Sequence, residues 1–179
     1  MTKTIRFAAA GAAMFAALGM GTAAHADTAT ADATAEVLDA LVLNNDTALD
    51  FGAMVVSGAG TVTLAADGTL NCAATDIVCS GTTSVAGFSV EGTANKAVTI
   101  NLPTTSVDLQ HPSFTLATAA EHTIVLSAFT SSENGTGGPE VTLDGSGNAT
   151  FDVGGTITLD GTEAAGVFSG TFDVSVEYS

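Results

Sequence analysis

Beyond residue 34 the chain is written in short apolar runs cut apart by glycine-rich turns, and that rhythm leaves few folds open to it. The runs are "VLDALVL" (37–43), "ALDF" (48–51), "TVTL" (61–64), "GFSVEG" (87–92), "AVTINL" (97–102), "SFTLAT" (113–118), "TIVLSAFT" (123–130), "EVTL" (140–143), "ATFDV" (149–153) and "TITL" (156–159). Valine, threonine, isoleucine and phenylalanine favour the pleated, half-buried surface of a sheet. Helical periodicity is almost absent. Between the runs, "ADGT", "DGSGN", "VGGT" and "DGT" put glycine beside aspartate or glycine, where hairpin turns need positive φ. Many short strands at this spacing predict an all-β antiparallel sandwich or barrel. Residues 140–153 read as one hairpin, and "TVTL", "VTLDG" and "TITLDG" recur at spacings too unequal for a solenoid. The polar stretch "SSENGTGGP" (131–139) reads as a surface loop.

The first 26 residues have a different character. Lys3 and Arg6 precede an apolar run from Phe7 to Met20, and Ala24-His25-Ala26 has the small-x-small form that a signal peptidase accepts. A cleaved export signal over 1–26 is expected, because the apolar run is shorter than the roughly 20 residues of a spanning helix. The mature chain is then expected in the periplasm in transit and afterwards at the cell surface or outside it, with no transmembrane segment. Its one basic side chain, Lys96, stands against 19 acidic ones, a net charge of −18. Such a surface repels nucleic acid and anionic lipid. Cys72 and Cys79, in "CAATDIVC", are the only cysteines. In an oxidising compartment they are expected to pair and staple a short loop.

Catalytic chemistry finds little to work with. A nucleophile, a base and an orienter must converge, and the mature chain holds no arginine, one lysine and two scattered histidines, His111 and His122, expected as surface residues. "DFG" (50–52) lacks the rest of the kinase set, and "DGSGN" has no acidic residue at the twelfth position of a calcium loop. The expectation is no enzyme, no cofactor and no metal ligands. Nineteen carboxylates still leave calcium or a carbohydrate open as a ligand, and a hydrolase using paired carboxylates as a remoter reading.

The last residues, "GVFSGTFDVSVEYS" (166–179), form an amphipathic strand pattern. Phe168, Phe172, Val174, Val176 and Tyr178 alternate with polar residues, so one face suits a core and the other water. Gly166 is the fourteenth residue from the end and Tyr178 the penultimate one. This combination resembles the C-terminal motif of pilins assembled by the chaperone–usher route. The phrases "ATAEVLDALVL", "LDFG", "GTVTL" with "DGT", "FSVEGTANKAVTINLP" and "AAGVFSGTFDVSVEY" also resemble the DUF4402 family, of unknown function and similar in appearance to fimbrial subunits.

The resemblance implies an immunoglobulin-like sandwich lacking its last strand, completed by a donor strand. The C-terminal strand, with Gly166, Phe168, Gly170, Phe172, Val174, Val176 and Tyr178, would border an open groove, and Gly166 and Gly170 would leave room for an incoming residue or a bend. A periplasmic chaperone would fill the groove first, and a like subunit would replace it in a fibre delivered through an outer-membrane usher. The donor would be residues 27–34, "DTATADAT", with Ala29, Ala31 and Ala33 on one face, or would extend through Val37 and Leu41; residues 35–179 would be the sandwich. A self-complemented monomer, a sandwich closed within its own chain, is the competing arrangement.

Overall fold

A computed structural model describes residues 27–133 and 138–179. The expected export signal and the middle of the "SSENGTGGP" loop lie outside the described residues. Residues 27–36, the described part of a unit separate from the rest of the chain, are exposed and without regular secondary structure. The rest of the described chain, from Val37, is an all-β sandwich in which every strand pair is antiparallel.

The main sheet is organised around one long strand. Strand β11 (Asn148–Leu159) pairs with β6 (Ala86–Glu91) through its first half and with β3 (Gly60–Leu64) and β9 (Thr123–Ser131) through its second. Strand β1 (Val42–Thr47) extends the sheet beyond β6, β4 (Leu70–Asn71) beyond β3, and β8 (Val107–Gln110) beyond β9. A second sheet has the order β10 (Glu140–Thr142), β7 (Ala97–Asn101), β12 (Ser175–Tyr178), and a two-stranded ribbon joins β2 (Ala53–Val56) to β5 (Ile77–Ser80). The period of two along β11 sends Phe151, Val153, Ile157 and Leu159 to the same side. Phe151 and Val153 enter a core cluster with Phe88, Val90, Val98 and Ile100, whereas Ile157 and Leu159 enter one with Val62, Leu64, Ile124 and Leu126.

Several sequence expectations are corrected. "ATFDV" and "TITL" are one strand, not two. Gly154 and Gly155 between them do not have positive φ, and both are buried. Gly154 is there for close approach: a Cβ on it would lie 2.6 Å from the backbone of Ala65 and Ala66. Residues 140–153 are not a hairpin, because β10 pairs with β7 and β11 with β6, β9 and β3. "DGSGN" is still a turn, closed by Asp144 N donating to Asn148 O at 2.9 Å, but it carries the chain from one sheet to the other. "SFTLAT" makes no strand, because Thr115 and Thr118 hydrogen-bond each other and set a short 3-10 turn, Leu116–Thr118. "VLDALVL" becomes strand only at its end, with β1 continuing into the polar Asn44–Thr47. Pairing to β6 makes it a strand, not an apolar face.

Acid should test the turns. Asp67, Asp144 and Asp160 each accept hydrogen bonds from backbone N–H groups two to four residues on. These bonds hold the Asp67 and Asp144 carboxyls below the usual 3.8, and at Asp160 the Thr162 hydroxyl, donating at 2.6 Å, does so ahead of the Thr162 N–H. A depressed folded-state pKa contributes stability above the unfolded value and loses it as the pH falls through the folded one. Asp144→Ala should therefore lower the melting temperature at pH 7, and the gap to wild type should narrow as the pH falls below 3.8 and through the depressed folded-state value. An unchanged gap in acid would show that the carboxylate charge is not what holds the turn.

Candidate functional site: an open groove along the C-terminal segment

Residues 163–172 and residues 48–56 face each other across a groove of about 1020 Å³. Its floor is core that no strand covers: Phe88, Leu109, Ile124, Leu126, Ile157 and Leu159 all line it. The C-terminal wall follows the alternation seen in the sequence. Phe168 and Phe172 are half-buried, whereas Ser169, Thr171 and Asp173 are exposed. Phe172 packs against both core clusters, its ring 4.9 Å from that of Phe129, and Phe168 packs against the second cluster alone.

Of the seven residues expected to wall the groove, Gly166, Phe168, Gly170 and Phe172 line it. Val174, Val176 and Tyr178 lie beyond the lining and pack on the first cluster, where β12 pairs with β7. The paired strand is much shorter than 166–178. Upstream of β12 the segment makes one isolated bridge, Ser169 with Gln110. Among the described residues, the backbone groups of Gly170–Asp173 pair with no other backbone group. A row of unpaired peptide groups beside open apolar surface is the edge that an added strand would satisfy.

The two glycines do not leave room for an incoming side chain. The place of a Cβ on Gly170 is 2.8 Å from Asp108 O and 2.9 Å from Leu109, and that of Gly166 is filled by the His111 imidazole. Both let the segment lie close against its own domain. His111 is stacked on His122, ring centroids 4.8 Å apart, with Phe168 5.3 Å from His111. The histidines, distant in sequence, thus meet at one end of the groove wall. His111 Nδ1 accepts from Ser113 N at 3.0 Å, and His122 Nδ1 lies 2.7 Å from Thr118 Oγ1.

The opposite wall was not apparent in the sequence. Leu49 and Phe51 turn toward the core, and the chain there is held to the sheet by Asp50 bridging Ser84. Beyond it, β2 has β5 as its partner strand, and the Cys72–Cys79 disulfide, 6.2 Å between Cα atoms, ties β5 to the end of β4. The expected cysteine pair is therefore present, and it braces a groove wall. Replacing both cysteines by serine should cost roughly 2–3 kcal/mol, the chain-entropy value for so short a loop. Amide exchange should accelerate first in Ala53–Val56. Exchange that accelerates uniformly would mean that the disulfide does not brace the wall.

Tyr178 has its own task. Its hydroxyl donates to Asp39 O and accepts from Thr93 N, each at 2.8 Å, and Asp39 N donates to Thr93 Oγ1 at 2.7 Å. Gly92 makes room, since a Cβ there would sit 2.6 Å from that hydroxyl. Tyr178→Phe should cost about 1–3 kcal/mol and loosen residues 38–41. Melting and amide exchange both report it, and an unchanged exchange pattern would refute the fastening.

The fold and site together define an antiparallel β-sandwich with an open, apolar-floored groove beside its C-terminal segment. Residues 41–178 match the family described as domain of unknown function DUF4402, and the chain belongs to that family. No curated protein and no solved structure matches it. No helix among the described residues is long and apolar enough to cross a membrane.

Proposed function

We propose that this protein is a structural subunit of a surface fimbria, built as an incomplete immunoglobulin-like sandwich and completed by a strand from another chain. A periplasmic chaperone occupies the groove during export, and a like subunit occupies it in the fibre after passage through an outer-membrane usher. The observation that carries this reading is the unpaired backbone of Gly170–Asp173 beside a groove floored by core side chains. Main-chain hydrogen bonds would supply affinity, and alternate side chains would set register. The groove's lining is mostly apolar, with Asp50 and Glu163 at the two walls.

The test is genetic. A host lacking this gene should lose surface fibres, and the wild-type gene should restore them. Phe172→Asp places a charge against both cores and should fail to restore them. Met54→Asp, on the other wall, serves where Phe172→Asp does not fold. A folded groove variant that restores wild-type fibres would sink the proposal, as would a wild-type chain that is only ever monomeric.

A further inference from the structure

Strand β9 changes faces partway along its length. Ile124 and Leu126 are buried with Val125 exposed between them, but beyond Ala128 the inward residues are Phe129 and Ser131. The inward positions thus pass from even numbers to odd, which a regular strand cannot do, because its side chains alternate without a break. Pairing with β11 shows where the phase is lost. Ser127 lies opposite Thr156 and Thr130 opposite Gly154, so Ala128 and Phe129 together face the single place of Gly155. This is a bulge of one extra residue.

Ala128 holds the bulge with φ at 50°, and it and Asn95 are the non-glycine residues with positive φ among the described ones. Asparagine tolerates that region through local hydrogen bonds of its side chain; alanine has none to offer, and its Cβ crowds the backbone. Ala128 is exposed, so burial does not account for the residue. Across the ladder Gly155 makes room, since a Cβ on it would lie 3.0 Å from Leu126, 3.4 Å from Ser127 O and 3.7 Å from the Phe129 ring. Strain of this kind persists only where its surroundings enforce it, and it gathers at functional sites.

What the bulge delivers is the Phe129 ring. Phe129 packs on both core clusters, and Phe172 does the same from the groove wall, the two rings tilted with centroids 4.9 Å apart. Within Gly170–Asp173, Phe172 is the one side chain turned inward, since Thr171 and Asp173 are exposed and Gly170 has none. Resting on the reading of the groove given above, we infer that Phe129 is a positioning residue for it: the strained bulge at Ala128 turns this ring inward beneath Phe172 and so fixes where the Gly170–Asp173 backbone stands for an incoming strand. Phe129 lies outside the lining residues and acts through Phe172. A regular β9 would turn Ala128 inward and put Phe129 in water, leaving Phe172 without its ring partner. Hydrogen bonds weaken steeply with distance and angle, so a wall displaced by about 1 Å would no longer pair along its length.

The test measures surface fibres per folded subunit in the periplasm, a ratio that a loss of stability alone does not move, for full-length chains in the native host. Phe129→Ala should lower the ratio about ten-fold, and the milder Phe129→Leu, which keeps apolar volume and so serves where the alanine variant does not fold, about three-fold. Leu43→Ala truncates a side chain on the first cluster away from the groove lining and should stay within about two-fold of wild type. The strain has its own readout in urea. Ala128→Gly should unfold at or above the wild-type midpoint, since glycine accepts this φ, and Ala128→Val below it, since a β-branched residue does not. Folded Phe129 variants that assemble like wild type, while folded Met54→Asp builds no fibres, would show that the positioning role is wrong and that the groove reading stands. If folded Met54→Asp also assembles normally, the groove reading falls and the inference with it. An equal loss in Leu43→Ala would reduce the effect to a general loosening of the core and overturn the inference, as would an Ala128→Gly chain that unfolds more easily than wild type.

Discussion

Phe151→Ala should lower the free energy of unfolding by about 3–5 kcal/mol, the usual cost of emptying a buried phenylalanine site. Phe151 is 2% exposed, and its ring lies stacked on Phe88 with centroids 5.2 Å apart. It sits on the strand that pairs with three others, so neighbours fixed by sheet hydrogen bonds have little freedom to collapse into the space. For a domain whose total stability is about 5–15 kcal/mol, that is about a fifth of the whole or more. Urea unfolding should show a lower midpoint with an unchanged slope. A loss under about 1 kcal/mol would mean that the cluster repacks and that the aromatic pair is not central to it.

Gly154→Ala should cost about 3 kcal/mol, the upper end of the range for overpacking. The added methyl would meet backbone, that of Ala65 and Ala66, rather than the end of a side chain able to swing aside. The collision lies where β11 changes partners, with an irregular register against β9 between Gly154 and Thr156. Gly145→Ala is the control. Nothing lies within 4 Å of its Cβ position and its φ is not positive, so it should be neutral or stabilise by up to about 1 kcal/mol. Equal effects at the two positions would show that backbone entropy, not contact, decides both.

The parts of this fold legible in the sequence were those in which pairing and burial agree. "GFSVEG" and "AVTINL" alternate with period two because one face of each strand meets the core, and they became β6 and β7. Strands β2, β5 and β8 were not read from the sequence, and pairing sets their limits. The glycine pair in β11 reads as a turn when only local chemistry is weighed; its purpose is contact with residues some ninety positions earlier. The groove divides in the same way. Its C-terminal wall shows in the alternation of Phe168 and Phe172. The wall from Ala48 to Val56 has no such signature, since it is held by one bridge, a partner strand and a disulfide. The meeting of His111 with His122 follows from β8 pairing with β9, which no spacing encodes.

The bond between Tyr178 and Asp39 also decides how this molecule would bear a load. A pull applied to the chain at Leu38 reaches Asp39 and passes through the tyrosine hydroxyl into the last strand without first crossing the two apolar clusters. That strand is pinned to β7 from Ser175 to Tyr178 and continues directly into the groove wall. In a fibre of the kind proposed above, such tension would divide at Asp39 between the tyrosine hydroxyl and the covalent chain, which continues through Leu41 and β1 into the main sheet. Forced rupture is governed by an unfolding rate rather than by equilibrium stability. The last four paired residues and one phenol would then share the load with β1 and its pairing to β6.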